Sequence, residues 1–241
     1  MYFDAAAFCG HWPYYHLRQG SLPQVLQKLK AAGIEGGFLS SLEAIFYNDP
    51  WEADGPLTEE LKNTNWRVAM SVNPDLPWAQ QLVRQGFDAG AGAVRLYPCI
   101  HGYEEDGQQV ISICRFAGQL GLPVILTLRM EDERMQYLLR QKNPDFARIR
   151  KLTQQCPQTR FLLSNCLVHQ VDELLPLPSN VWFDTAGFKG EFYLEDQKSI
   201  PGERILFGSF TPLQAVSSAV LSVPEAQKEP IMCGNFHDFL K

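Results

Sequence analysis

The chain has 241 residues, of which 45% are hydrophobic and 20% charged, with a net charge of −6 and a pI near 5.4. That length can bury a sizeable core, and the composition is that of a globular chain rather than a disordered one. The acidic balance, with no clustered basic face, argues against a nucleic-acid partner. No apolar run approaches the roughly 20 residues of a membrane span.

The opening stretch, residues 2–13, reads Tyr2-Phe-Asp-Ala-Ala-Ala-Phe-Cys-Gly-His-Trp-Pro13. It has the pattern of a buried strand that stops at Gly10 and turns out through His11. Residues two apart in a strand share a face, so Asp4, Ala6 and Phe8 are expected to point the same way. Ser21 then caps a helix with Pro23 in its first turn, with Leu22, Val25, Leu26 and Leu29 on one face and Gly33 as its stop. A short strand over 36–40, a small helix near 57–61 and a third strand over 66–72 follow. Asp75-Leu-Pro77 opens a helix carrying Trp78, Leu82 and Val83.

The fourth strand covers 93–97 and is closed by Pro98. Asp106 or Gly107 starts a helix with Val110, Ile113, Cys114 and Ala117 inward, and 123–128 is a fifth strand. Helical stretches over 133–141 and 145–155 precede strands over 161–163, 181–184 and 204–207. Thr211-Pro212 has the pattern of a cap and first turn for an eighth helix, and 231–240 that of a turn and short helix folded back on the body.

Eight apolar strands thus alternate with helices, without repeats, low complexity or a linker. Continuous rather than alternating apolar runs indicate strands buried on both faces, hence a parallel sheet. The expected fold is α/β, a single (β/α)8 TIM-barrel domain over 1–241. A doubly wound open sheet is the rival, lowered by the absence of a G-x-G-x-x-G after the first strand. The N-terminus has no basic and apolar leader pattern, and the six cysteines are scattered without a C-x-x-C pair. Both features predict reduced thiols and a cytoplasmic protein.

Four phrases fall at strands one, four, five and eight: Phe3-Asp4 through Gly10-His-Trp-Pro13, Ala93-Val-Arg-Leu-Tyr-Pro98, Gly121-Leu-Pro-Val-Ile-Leu-Thr127, and Arg204-Ile-Leu-Phe-Gly-Ser-Phe-Thr-Pro212. Together with Gly234-Asn235 they resemble the amidohydrolase-related branch of the amidohydrolase superfamily, TIM barrels that include decarboxylases and lactonases of small carboxylates. Gly10-His-Trp-Pro13, Ser40-Ser-Leu-Glu-Ala44 and Arg129-Met-Glu-Asp-Glu-Arg134 resemble a subgroup of unassigned function within it. The resemblance places metal ligands at the ends of strands one, five, six and eight. Here those positions hold Ala6 and Phe8, Thr127, Asn165 and Phe210. Ala and Phe offer no donor atom, and Thr and Asn are weak oxygen donors, so neither a catalytic metal nor another cofactor is expected.

Barrel active sites lie at the C-terminal strand ends. Strand parity there predicts inward-facing Ser40, Asn73, Arg95, Tyr97, Thr127, Arg129, Asn165 and Asp184. Arg95 and Arg129 come from neighbouring strands, and paired guanidinium forks suit a substrate carboxylate. A structural network with Glu131, Asp132 or Asp184 is the alternative. His11 and Asp184 are the acid/base candidates. Tyr97, Asn165, Thr127 and Ser40 are candidates to contact substrate, with Tyr97 and Asn165 able to donate to a developing oxyanion.

His101 and His169 are expected outside the site, and His16 and His237 in surface or core roles. Cys9, Cys99 and Cys166, near strand ends, are conceivable thiolate nucleophiles but lack a Cys/His/Asn pattern. Trp12, Tyr14, Tyr15, Phe46, Tyr47 and Trp51 in early loops could wall a pocket or cover the mouth.

Two functions are compatible with this set. One is a metal-independent hydrolase or lyase for a small carboxylate. Some metal-free lactonases of this branch keep the strand-eight Asp as base, and Phe210 replaces it here. The other is an inactive barrel retained to bind a small anion or to build a homo-oligomer.

Overall fold

The computed structural model describes residues 1–131, 139–188 and 199–241. Eight parallel strands follow one another around a barrel in chain order: β1 (Tyr2–Cys9), β2 (Ile34–Ser41), β3 (Trp66–Ser71), β4 (Ala93–Leu96), β5 (Val124–Thr127), β6 (Phe161–Ser164), β7 (Val181–Asp184) and β8 (Ile205–Leu206). The barrel closes where Ala5 N donates to Phe207 O at 2.8 Å and Phe8 N to Thr211 O at 2.7 Å. Helices α1 (Leu22–Ala31), α2 (Trp51–Glu60), α3 (Ala79–Ala89), α4 (Pro98–His101), α5 (Gln108–Gln119), α6 (Phe146–Gln155), α7 (Val168–Val171), α8 (Val216–Leu221) and α9 (Asn235–Leu240) join or cover them.

The outer faces of the strands pack on the helices through residues such as Leu39, Val68, Val94, Leu126 and Phe183. Inside, the side chains form three layers. The lowest is apolar, with Ala5, Phe38, Ala69, Ala93, Ile125, Leu162 and Leu206 plugged from below by Phe236 and Phe239 of α9. Two residues further along each strand comes a polar layer: Ser40, Ser71, Arg95, Thr127, Ser164 and Asp184, all buried. Above it lies an aromatic and aliphatic layer that includes Ala6, Phe8, Leu42, Tyr97, Met130, Ala186 and Phe210. The interior of such a barrel is ordinarily filled by apolar layers, so the polar middle one marks the site.

Several sequence expectations are corrected in detail. Strand β1 is not a simple period-two strand: Asp4 pairs with Gly37 and Ala7 with Leu39, so three residues run against two. The bulge turns both Ala5 and Ala6 inward. Helix α2 begins at Trp51, earlier than 57–61, despite Gly55 and Pro56 inside it, because Gly55 lets the Trp51 indole pack against the helix. Ser21 stands at the cap of α1, but its hydroxyl donates to Gln24 Oε1 at 2.8 Å instead of accepting a backbone N–H.

Thr211-Pro212 does not start the eighth helix, which begins at Val216. Thr211 is engaged in closing the barrel: its carbonyl accepts from Phe8 N, and its N–H donates to Ser209 Oγ at 3.0 Å. The helix expected over 133–141 lies outside the described residues except for 139–141, which are not helical, and Asp132 lies outside them too.

Gly37 takes φ +133° at the bulge, and a Cβ there would overlap the Asp4 carbonyl oxygen. Gly90 also has positive φ, +97°, but nothing lies within 4 Å of its Cβ position. Gly37→Ala is therefore expected to cost at least about 3 kcal/mol or to yield no folded protein, and Gly90→Ala about 1–2 kcal/mol. Urea unfolding of the two variants checks this, and equal losses would contradict the close approach at β1–β2.

Candidate functional site

Arg95 is the centre of the polar layer. It is 0% exposed. Its Nη2 donates to Ala5 O at 3.0 Å, made reachable by the bulge in β1. Its Cζ lies 4.5 Å from the Phe8 ring centroid, and Phe8 meets Phe210 edge-on at 4.9 Å. The two rings form a roof over the guanidinium. Its Nε and Nη1 have no hydrogen-bond partner among the described residues. Burial lowers the Arg95 pKa, while Tyr97, Asp184 and Asp4 favour its charge. A guanidinium stays protonated under such conditions, so the barrel interior holds a fixed positive charge.

Two buried carboxylates face it. Asp184 ends β7 and uses Oδ1 to accept from Asn165 N at 2.9 Å and Ala186 N at 3.1 Å. Its Oδ2 has no partner among the described residues. Desolvation raises its pKa, with Arg95 opposing. Gly208 leaves it room, since a Cβ there would lie 2.8 Å from Asp184 Cβ. Asp4 uses Oδ1 to accept from Ala6 N at 2.9 Å and Ser209 N at 3.0 Å, tying the bulge to the end of β8. Burial lifts it to about 6. Thr127 Oγ1 and Ser164 Oγ are likewise buried without a hydrogen-bond partner within 3.5 Å among the described residues, although Ser164 lies close enough to Asp184 to oppose the rise in its pKa.

Of the other residues expected here, Tyr97 is fully buried with its hydroxyl 3.4 Å from Ser71 Oγ, and burial raises it to about 12. Ser40 donates to Ala69 O at 2.7 Å. Asn165 takes a left-handed φ of 56° and donates to Arg129 O at 2.9 Å, so it fixes the chain after β5. Arg129 is buried there and acts electrostatically on Cys99 and Cys166. His11 is exposed. Its backbone N–H donates to Glu43 Oε1 at 3.2 Å, and no hydrogen bond or ion pair links its ring to Arg95 or Asp184.

Burial raises the thiols of Cys9, Cys99 and Cys166, which disfavours the thiolate a nucleophile needs.

Among the described residues, one tie crosses the mouth above the roof. Trp12, wholly buried in the loop after β1, donates through Nε1 to Glu131 Oε1 at 2.6 Å after β5, the opposite strand. Gln141 clamps that second loop, accepting from Met130 N and Glu131 N and donating to Glu131 O. Sequence reasoning missed this tie, as well as Asp54. Asp54 reaches from α2 to accept from Ser71 N at 2.6 Å, and nothing local distinguishes it from a solvated helix acid. It also missed His101, which is partly buried at the mouth and bonded to Ile45 O at 2.8 Å.

The residues at the positions the resemblance assigns to a metal do not fit one. Ala6, Phe8 and Phe210 have no donor atoms, and the Asn165 side-chain nitrogen is bound to Arg129 O. That leaves one hydroxyl and one amide oxygen, with a guanidinium already against Phe8. No group of three or more His, Cys, Asp or Glu among the described residues is arranged to hold an ion.

Asp54 is raised to about 7, chiefly by desolvation, with Arg95 and the Ser71 N–H opposing. Its folded-state pKa lies above the unfolded value, so folding takes up a proton. That stabilisation is present below about pH 4 and is lost as pH rises through about 7. Asp54→Asn keeps an oxygen for Ser71 N but cannot ionise. Its stability relative to wild type should improve between pH 4 and pH 8 by on the order of 4 kcal/mol at most. Denaturant titrations at the two pH values test this, and a pH-independent difference would contradict it.

No family model and no curated protein matches the chain. Solved structures match along nearly its whole length. A dihydroxybenzoic acid decarboxylase from Polaromonas sp. JS666, with bound manganese and 2-nitroresorcinol, superposes with a TM-score of 0.77 at 15% identity over 99% of this chain and 96% of that one. A 2,6-dihydroxybenzoate decarboxylase from Rhizobium gives 0.74 at 17% over 99% and 97%. A 5-carboxyvanillate decarboxylase from Sphingomonas paucimobilis gives 0.73 at 11% over 99% and 98%. The chain thus shares the fold of these decarboxylases, an eight-stranded (β/α)8 barrel.

Proposed function

We propose that this protein is an amidohydrolase-like enzyme, a metal-independent hydrolase or lyase that acts on a small carboxylate-bearing molecule. The observation that carries the reading is Arg95, buried in the barrel with Nε and Nη1 unpartnered by any described residue, and Asp184, whose Oδ2 is unpartnered likewise and whose charge favours that of Arg95. Leaving a buried donor without a partner costs about 1–3 kcal/mol, more for a charged group. A carboxylate lying across the fork would satisfy both N–H groups at once. The carboxylate chemistry of the structural neighbours supports the same class of substrate.

In this reading Arg95 holds the substrate anion, with Arg129 contributing positive charge from β5. Asp184, with its pKa raised by burial, is the group that takes and returns a proton. Thr127, Tyr97, Ser40 and Asn165 orient the bound molecule or stabilise developing negative charge. Of the two acid/base candidates, the proton is assigned to Asp184, and His11, at the surface, is given no step. Entry requires the Phe8–Phe210 roof and the Trp12–Glu131 tie to part. The scattered cysteines, all free, suit a reducing compartment, and we place the protein in the cytoplasm.

The roof favours a second reading. Phe8 seals Arg95 from above, which suits a barrel that has lost chemistry and binds a small anion, or serves as an oligomeric subunit.

Thermal-shift screening of di- and tricarboxylates, after dialysis against a chelator, separates these readings from neither. A ligand at about 100 times its Kd should add about 2.7 kcal/mol, or several degrees of Tm. Arg95→Lys should cancel that gain. Turnover of a stabilising compound that persists in chelator and falls at least about 100-fold in Asp184→Asn, with binding retained, supports the enzyme. Binding without turnover supports the second reading. Activity that vanishes in chelator and returns with zinc or manganese refutes metal independence, and no stabilisation by any carboxylate refutes the anion site.

A further inference from the structure

We propose that the rim of the barrel carries a second ligand site, set beside the axis, for a flat aromatic molecule bearing an acidic group. It shares no residue with the Arg95 chamber and stands independently of the reading above. A cavity of about 530 Å³ opens among the loops on the C-terminal face, within the range usual for small-molecule sites.

Its walls are rings. Tyr14, Phe46 and Tyr47 line it, with Phe46 39% and Tyr47 44% exposed, so their rings are open to a ligand. Tyr14 and Phe46 meet edge-on at 6.0 Å, and both lean on the buried Trp12, at 5.3 and 5.6 Å. The wall is therefore held in place before a ligand arrives, so little ordering entropy is lost on binding. A planar ring offers the faces and edges that such a wall accepts.

The polar groups define the rest of the ligand. Arg140 sits at the edge, exposed, with no hydrogen bond or ion pair to any described residue, so its planar fork is available to an anion. Asn73 uses Oδ1 to accept from Asp75 N at 3.1 Å, which leaves its amide N–H groups to donate. His101 donates through Nε2 to Ile45 O, and its Nδ1 is shielded from solvent with no partner among the described residues, so it lines the cavity as a flat ring rather than as a polar group. Burial lowers the pKa of His101, although the hydrogen bond to Ile45 O and the charge of Asp75 act in the opposite sense. None of the described residues lining the cavity is acidic. One unpaired cation, amide donors and aromatic walls together select an aromatic acid over a neutral or cationic compound.

Calorimetric titration of the full chain with 2-naphthoate tests this, alongside 2-naphthamide and cyclohexanecarboxylate. One equivalent of naphthoate should bind, and the amide and the non-aromatic acid should each bind at least about tenfold more weakly. Arg140→Gln and Tyr47→Ala alter exposed side chains and should each weaken naphthoate about tenfold without lowering Tm. Absence of naphthoate binding, or equal binding of all three compounds, would overturn the proposal. Loss of binding in Arg95→Lys with Arg140→Gln indifferent would place the ligand on the axis and overturn it as well.

Discussion

A guanidinium buried inside a barrel is the constraint from which the rest of this structure follows. Taking a full charge out of water costs several kcal/mol even after relaxation, and the surroundings must return most of it. Here Ala5 O accepts one N–H, the Phe8 ring lies against the charge, and Asp4 and Asp184 supply opposite charge. The middle layer is polar because Arg95 stands in it; apolar side chains at Ser71, Thr127 or Ser164 would deepen the desolvation. The bulge in β1 belongs to the same arrangement, since it delivers both the Ala5 carbonyl and the Asp4 carboxylate to that level.

The positions where the resemblance expects a metal site now serve the guanidinium. Phe8 covers it and Phe210 braces Phe8. Phe210 and Asn165 both have φ of 56°, a left-handed backbone that costs a residue with a Cβ about 1–2 kcal/mol. A bulky aromatic seldom adopts it, and Phe210 is held there by full burial against Phe8. Strain of this kind gathers at sites where geometry matters more than local comfort. The cation at the barrel's centre is covalently part of the chain, fixed in charge at any ordinary pH.

The strand order was legible because each strand is a short apolar run between turn residues, and eight such runs in this length leave few architectures. Inward parity was legible for Arg95, Thr127 and Asp184, which lie on regular strands. At β1 one extra residue breaks the period of two and turns Ala5 inward as well as Ala6. The helix cap expected at Thr211 failed because its backbone groups are spent on β1 and Ser209. Tertiary pairings left no local trace. Asp54 looks like any helix acid, and the Trp12–Glu131 tie joins residues 119 apart in sequence. Strand parity placed Arg95 facing inward at the C-terminal strand ends; the aromatic roof of Phe8 and Phe210 over it is a tertiary feature that parity does not reveal.

The most direct test of the account is the Nε–H resonance of Arg95, assigned in the ¹⁵N spectrum by its loss in Arg95→Lys and followed during titration with a carboxylate that raises Tm. A slowly exchanging signal that shifts in proportion to ligand bound is the predicted result. A resonance that stays fixed while the carboxylate binds elsewhere would contradict the claim that this buried charge receives the anion.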